Sequence, residues 1–205
     1  MTSTAIIIPT LDADLGKSTG DLALLSAGMD ARLIVVAGPK RGFTATVNDG
    51  LAQLQPGEDA CILNDDVYWF TYAWLRILSR ALHSAKDIAM VCPTGKSRTA
   101  PMAKAKTIGA GLEDVGHIPF WCVLVRAEAI ARLGHLDPRF IHYCSDNAYC
   151  DKAQANGWRN VWVKDVWLEH RVHGSGMIAD WARIDLAEYN RTRTNRACDV
   201  PRRKR

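Results

Sequence analysis

Two adjacent carboxylates, Asp65 and Asp66, follow Asn64 at the end of an apolar run, residues 60–63, in the stretch ACILNDDVYWF. Such a run reads as a buried strand, and charge at its mouth is costly unless something compensates it. Two readings compete. Adjacent acids beside a phosphate-bearing ligand suit a hard divalent cation, Mg2+ or Mn2+. Alternatively the pair caps the helix that follows, where Asp is favoured. Other candidate chemistry is thinner. Thr94-Gly95-Lys96-Ser97 imitates the end of a phosphate-binding loop, but such a loop needs Gly five positions before Gly95, and Met90 stands there. Cys61, Cys92, Cys122, Cys144, Cys150 and Cys198 form no C-x-x-C pair. Cys144 and Cys150 with His142 match no zinc template, so buried or free thiols are expected.

The elements that must position the acids alternate. Short apolar runs at 5–8, 32–38, 60–63 and 87–93 read as buried strands. Between them, 20–29, 44–54 and 69–85 carry helical spacing, with Asp21 suited to a first helical turn. This alternation predicts an α/β domain: a mostly parallel central sheet with helices on both faces. Ligands in such sheets bind beyond the carboxyl ends of the strands, where Asp65 and Asp66 lie. Residues 94–118 break the pattern and read as a long functional loop. Lys96, Arg98, Lys104 and Lys106 there are suited either to guiding an anionic substrate or to a solvated surface. A strand and short helix ending at Gly134, a helix over 146–157, one or two strands over 160–170 and a helix over 177–191 complete the expectation.

The 205 residues, 48% hydrophobic and 23% charged, suit one globular domain over 1–190. No apolar run approaches the roughly 18 residues of a membrane span, and the N-terminus does not resemble a signal peptide, so no membrane insertion and a cytoplasmic location are expected. The net charge of +4 sits in the last 15 residues, which hold seven Lys or Arg and one acid, leaving 19 bases against 21 acids elsewhere. Residues 191–205 thus form a basic tail, suited either to a phosphate-rich partner or to a flexible, solubilising end.

Five stretches, in order across residues 4–175, resemble the family 2 glycosyltransferases of GT-A fold, a Rossmann-like architecture: IIIPT, RGFTATVNDGL, CILNDDV, VLVRAEAIARLGHLDPRF and SDNAYCDKAQANGWRNVWVKDVWLEH. The resemblance implies a nucleotide-sugar donor and a Mn2+ or Mg2+ cofactor held at a DxD-like motif by Asp66 and His170, with His173 in reserve. It places Pro9, Thr10, Gly42, Phe43 and Asn48, with Asn64 and Asp65 beside the metal, at the donor nucleotide. It puts Asp146 at the catalytic position, which is also a favoured helix cap. Trp121 falls either near the acceptor or in the core. A UDP-sugar is the expected donor, although Ala37 and Gly38 stand where relatives often carry an Asp that reads uracil. The acidic motif around Asp146 is reduced to Ser145, Asp146, Asn147 and Ala148.

The function expected is an inverting, metal-dependent hexosyl transfer to an acceptor hydroxyl. The basic tail suggests DNA as the acceptor: a hydroxymethylated base, as some viral enzymes modify, flipped from the duplex and stacked on Trp121 or Tyr143. A cell-envelope glycan or lipid-linked sugar is the competing acceptor. A non-catalytic nucleic-acid-binding protein is the competing class. A nucleotidyltransferase is disfavoured because IIIPTLDADLGKST lacks that class's Gly-rich signature.

Overall fold

The computed structural model describes residues 3–38, 41–95, 111–171 and 179–199, with side chains up to residue 193 in the last segment. Eight strands, β1 (Thr4–Thr10), β2 (Arg32–Ala37), β3 (Asp59–Leu63), β4 (Val67–Phe70), β5 (Ile88–Gly95), β6 (Leu112–Val115), β7 (Cys122–Val125) and β8 (Arg159–His170), form one sheet. Its order is β2-β1-β3-β7-β5-β8-β4, with β6 also paired to β8. β1 pairs in parallel with β2 and β3, and β5 with β8. β7 enters antiparallel between β3 and β5, while β4 and β6 run antiparallel along β8. Five of the eight strands, β1, β2, β3, β5 and β8, therefore point the same way. Their carboxyl ends collect Thr10, Leu63, Gly95 and His170 along one edge.

The strands read as continuous apolar runs because both faces are covered. Ile6, Ile7 and Ile8 are all buried, as is every residue of β3, β5 and β7. α1 (Ala13–Ser26) packs through Gly16 and Gly20 on Thr10, Val35 and Leu33. α2 (Phe43–Leu51) packs through Gly50 on Ile7 and Val36. Neighbouring residues of a strand face opposite sides, so these two helices lie on opposite faces. α3 (Trp74–Leu82), α4 (Ala127–Leu133) and α5 (Ser145–Ala155) flank the other half of the sheet, and α6 (Ala179–Asp199) follows it.

Several elements depart from the sequence expectation. The first helix starts at Ala13, well before residue 20, because the Asp12 carboxylate accepts the N–H groups of Asp14 and Leu15 as an N-cap. The helix expected over 69–85 is divided: Val67, Tyr68, Trp69 and Phe70 are β-formers that pair with β8, and α3 begins only at Trp74. Of the one or two strands expected over 160–170, the structure shows one, β8. β6 occupies part of the expected loop, and Lys96, Arg98, Lys104, Lys106 and His173 lie outside the described residues. α6 continues past residue 191, so the charge boundary there does not coincide with a break in secondary structure. Cys61, Cys92, Cys122, Cys144 and Cys150 are free thiols.

Candidate functional site

The turn after β3 carries Asn64, Asp65 and Asp66 into β4, not into a helix. α3 is capped by Ala73, so neither acid is a helix cap. Pairing of Val67 with His170 then brings the end of β8 beside Asp66. Asp66 Oδ1 and His170 Nε2 stand 2.8 Å apart, their side chains only 21% and 13% exposed. The contact lacks hydrogen-bond geometry. Asp66 Oδ1 and both ring nitrogens of His170 are buried without a hydrogen-bond partner among the described residues.

A buried polar atom left unpaired costs about 1–3 kcal/mol, so three side by side need an explanation. A carboxylate oxygen and an imidazole nitrogen converging at this distance are a donor set for a divalent cation. Nitrogen in the set tilts the preference from Mg2+ toward Mn2+. The residues present therefore fit the expected metal. Among the described residues no group of three His, Cys, Asp or Glu side chains converges on one point, so those residues offer two ligands there.

Asp65 is held rather than free. Its Oδ2 accepts the Thr10 hydroxyl at 2.5 Å, and its carbonyl accepts the Thr19 hydroxyl at 2.6 Å. Burial pushes its carboxyl above the usual carboxylate range, the Thr10 bond opposes this, and the charges of Asp66 and Asp12 add to the rise. Pro9 precedes Thr10 at the end of β1, paired with Val36.

Phe120 and Trp121 join the two halves of the site. The Asn64 N–H donates to the Trp121 carbonyl at 2.8 Å. The Trp121 ring stacks on His170, centroids 5.2 Å apart and planes 11° apart. Trp121 is buried, so of its two expected fates the structure shows packing behind a candidate ligand. The Phe120 backbone N–H favours the charged form of the Asp146 carboxyl.

Asp146 lies in the first turn of α5, whose cap is Cys144, and its Oδ1 accepts the Asn147 N–H at 2.8 Å. Burial raises its pKa, and the backbone N–H bonds and His117 offset part of that rise. Cys144 adopts a left-handed conformation at φ 61°, which costs a non-glycine residue about 1–2 kcal/mol.

The remaining expected donor residues also make scaffold contacts. Gly42 has φ +91° and packs so closely on the Ile141 carbonyl that a Cβ would collide with it. Beyond it, Phe43 N–H donates to His142 Nδ1 and Thr44 N–H to the Ile141 carbonyl, both at 3.2 Å. The Asn48 amide is engaged at both ends with Leu136, donating to its carbonyl at 2.9 Å and accepting its N–H at 3.0 Å. α2 thus clamps the segment that leads to Asp146. Sequence reasoning missed Asp185 on α6, which is fully buried and accepts the N–H groups of Ile141, His142 and Tyr143 at 2.8, 2.8 and 2.7 Å. It sits between the exposed Ile184 and Leu186, so no apolar pattern marks it.

No known family profile matches the sequence, and no curated protein matches it. Solved structures do. A mannosyltransferase from Pyrobaculum calidifontis, solved with GDP-Man and Mn2+, superposes with TM-score 0.66 at 17% identity over 98% of this chain and 65% of its own. GalNAc-T7 with UDP, GalNAc and Mn2+ gives 0.60 at 10% identity, over 83% of this chain and 44% of its own. The catalytic domain of Drosophila beta1,4galactosyltransferase 7 with xylobiose gives 0.56 at 12% identity, over 85% and 72%. The chain spans less than two thirds of the first two of these proteins. At such identities the likeness establishes architecture alone, and the architecture is the GT-A fold.

Proposed function

We propose that the protein is a metal-dependent glycosyltransferase that moves a sugar from a nucleotide-sugar donor to an acceptor hydroxyl. The observation that carries this reading is Asp66 Oδ1 facing the His170 ring at the carboxyl edge of the sheet, buried polar atoms with no hydrogen-bond partner among the described residues. The fold neighbours solved with UDP or GDP-Man and Mn2+ support it. Bound there, Mn2+ or Mg2+ would neutralise the charge that grows on a departing nucleoside diphosphate. Asp66 and His170 would hold the cation, and Thr10 steadies Asp65 beside them. Trp121 fixes the His170 ring plane and excludes water behind it. Asp146 takes the proton of the attacking acceptor hydroxyl; burial strengthens it as a base nearer neutral pH. Attack opposite the leaving nucleotide inverts the anomeric centre. The expected donor is a UDP-sugar, with GDP-sugars the alternative that the open end of β2 at Ala37 admits.

For the acceptor, the reading favoured is a hydroxyl on DNA. α6 begins against the loop that leads to Asp146 and carries Arg191 and Arg193 at the start of the basic run. A polyanion gripped by that run would be led toward the site. Among the described residues no helix is long and apolar enough to cross a membrane; an envelope glycan or lipid-linked sugar is the rival acceptor. The test is release of nucleoside diphosphate from UDP- and GDP-sugars with Mn2+. Turnover that disappears in Asp66→Ala supports the enzyme, and no turnover or binding with any donor moves the non-catalytic nucleic-acid-binding reading forward. DNA as acceptor requires salt-sensitive DNA binding that is lost on removing residues 191–205.

A further inference from the structure

Three consecutive backbone N–H groups, those of Ile141, His142 and Tyr143, converge on the single carboxylate of Asp185. Successive N–H groups aimed at one point form an anion-binding nest, and bonds to a charged acceptor are roughly twice as strong as neutral ones. Asp185 is fully buried, whereas its neighbours Ile184 and Leu186 are 44% and 52% exposed. α6 therefore turns its carboxylate inward and leaves aliphatic side chains in solvent, the reverse of what apolar burial alone would select. The nest joins Trp181 and Tyr189, one turn to either side on the same face, in setting the rotation of this part of the helix.

The segment held by the nest has two dependants. On one side, the Ile141 carbonyl and His142 Nδ1 accept the N–H groups of Thr44 and Phe43, at the first turn of α2. On the other side, Tyr143 leads through the left-handed Cys144 into the turn that carries Asp146. One helical turn beyond Asp185, Tyr189 donates its hydroxyl to Asp151 Oδ2 on α5 at 2.9 Å, and its ring packs on Phe140. α6 thus grips α5 behind Asp146 and the loop in front of it.

We propose that Asp185 is a positioning residue for the transfer reaction: its carboxylate fixes the 141–143 nest and, through it, the approach of Asp146, an inference that rests on the glycosyltransferase reading above. It touches neither donor nor acceptor. Removing its charge displaces Asp146 while leaving the Asp66–His170 metal pair intact, because that pair is built by the β4–β8 ladder.

The experiment is Asp185→Asn in the full chain, read three ways. Amide exchange at residues 141–146 is expected to accelerate. Sugar-nucleotide turnover with Mn2+ is expected to fall about 10- to 100-fold, the scale of a misplaced catalytic group, while Mn2+-dependent nucleotide affinity is unchanged. In an Asp146→Asn background the same change is expected to cost no further turnover, since the residue it positions is already disabled. Unchanged exchange, or losses that multiply in the double variant, would overturn the inference. If Asp185→Asn does not fold, Asp185→Glu, which keeps the charge but moves it by one methylene, carries the same three readings. If the wild-type protein binds and turns over no nucleotide sugar, the glycosyltransferase reading fails separately, and the exchange measurement alone decides whether Asp185 organises the loop.

Discussion

The two ends of the sheet each hold an Asp–His pair at nearly the same distance, and the pairs differ in how their hydrogen bonds are completed. At the amino end, Asp59 Oδ2 lies 2.7 Å from His83 Nε2. Asp59 Oδ1 accepts the Ala127 N–H at 2.8 Å, and His83 Nδ1 faces the Arg126 guanidinium at 3.3 Å. Arg126 in turn donates to the carbonyls of Ile88, Ala85 and Leu82. Each member of that network has a partner on both sides. At the carboxyl end, Asp66 and His170 approach to 2.8 Å, yet the facing atoms and His170 Nδ1 have no hydrogen-bond partner among the described residues. The same two residue types serve as a scaffold where they are satisfied and as a candidate ligand set where they are not. Residue identity does not separate the two; completion of the hydrogen-bond network does.

That contrast makes a graded series of stability predictions. Asp59→Ala strands the Ala127 N–H and releases the His83 ring that faces Arg126; each hydrogen bond to a charged group that is lost costs about 1.5–3 kcal/mol. Urea unfolding reads this directly, and a loss near zero would erase the distinction between the two ends. Asn48→Ala removes both bonds to Leu136, about 1–2 kcal/mol in all at roughly 1 kcal/mol each. Nucleotide affinity is expected to stay at the wild-type value; a fall would return Asn48 to the donor pocket.

A smaller effect of opposite sign belongs to Asp146. Its pKa is raised by burial in the folded state. The native state therefore holds that proton more tightly than the unfolded chain, and stability falls as pH rises from the usual carboxylate range through the raised value. Asp146→Asn removes this penalty, so at neutral pH its melting temperature is expected to rise while turnover is lost. In the wild type the acid limb of turnover is expected above the usual carboxylate range. A variant less stable than wild type at neutral pH would contradict the burial argument. The smallest effect is expected at Asp66→Ala, whose metal-free stability should lie close to that of the wild type, because the oxygen removed makes no hydrogen bond and loses only its ion contact with His170.

Much of the scaffold was legible because short, fully buried runs such as IIIPT and ACIL have few alternatives. The start of α1 was not: Gly16 and Gly20 interrupt its apolar period, Leu15 and Leu22 lie exposed, and the Asp12 cap stands outside the helical pattern. The two readings of Asp65 and Asp66 could not be separated without knowing that Val67 opens a strand. That depends on pairing with residues about a hundred positions later, a tertiary fact with no local trace. The same pairing brings His170 to Asp66. Asn48 was legible as a special residue but not as a clamp, because its partners are the backbone of Leu136. Asp185 left no trace, since its meaning lies in three N–H groups some forty residues earlier.

The most direct measurement of the central claim is thermal unfolding with Mn2+ alone, with UDP or GDP alone, and with both, in the wild type and in Asp66→Ala. A cation held by two side chains among the described residues should need the diphosphate to complete its shell. The expected result is stabilisation only by metal and nucleotide together, about 2.7 kcal/mol at a hundredfold excess over Kd, abolished in Asp66→Ala. Stabilisation that survives in Asp66→Ala, or none under any combination, would contradict the assignment of Asp66 and His170 as the metal site.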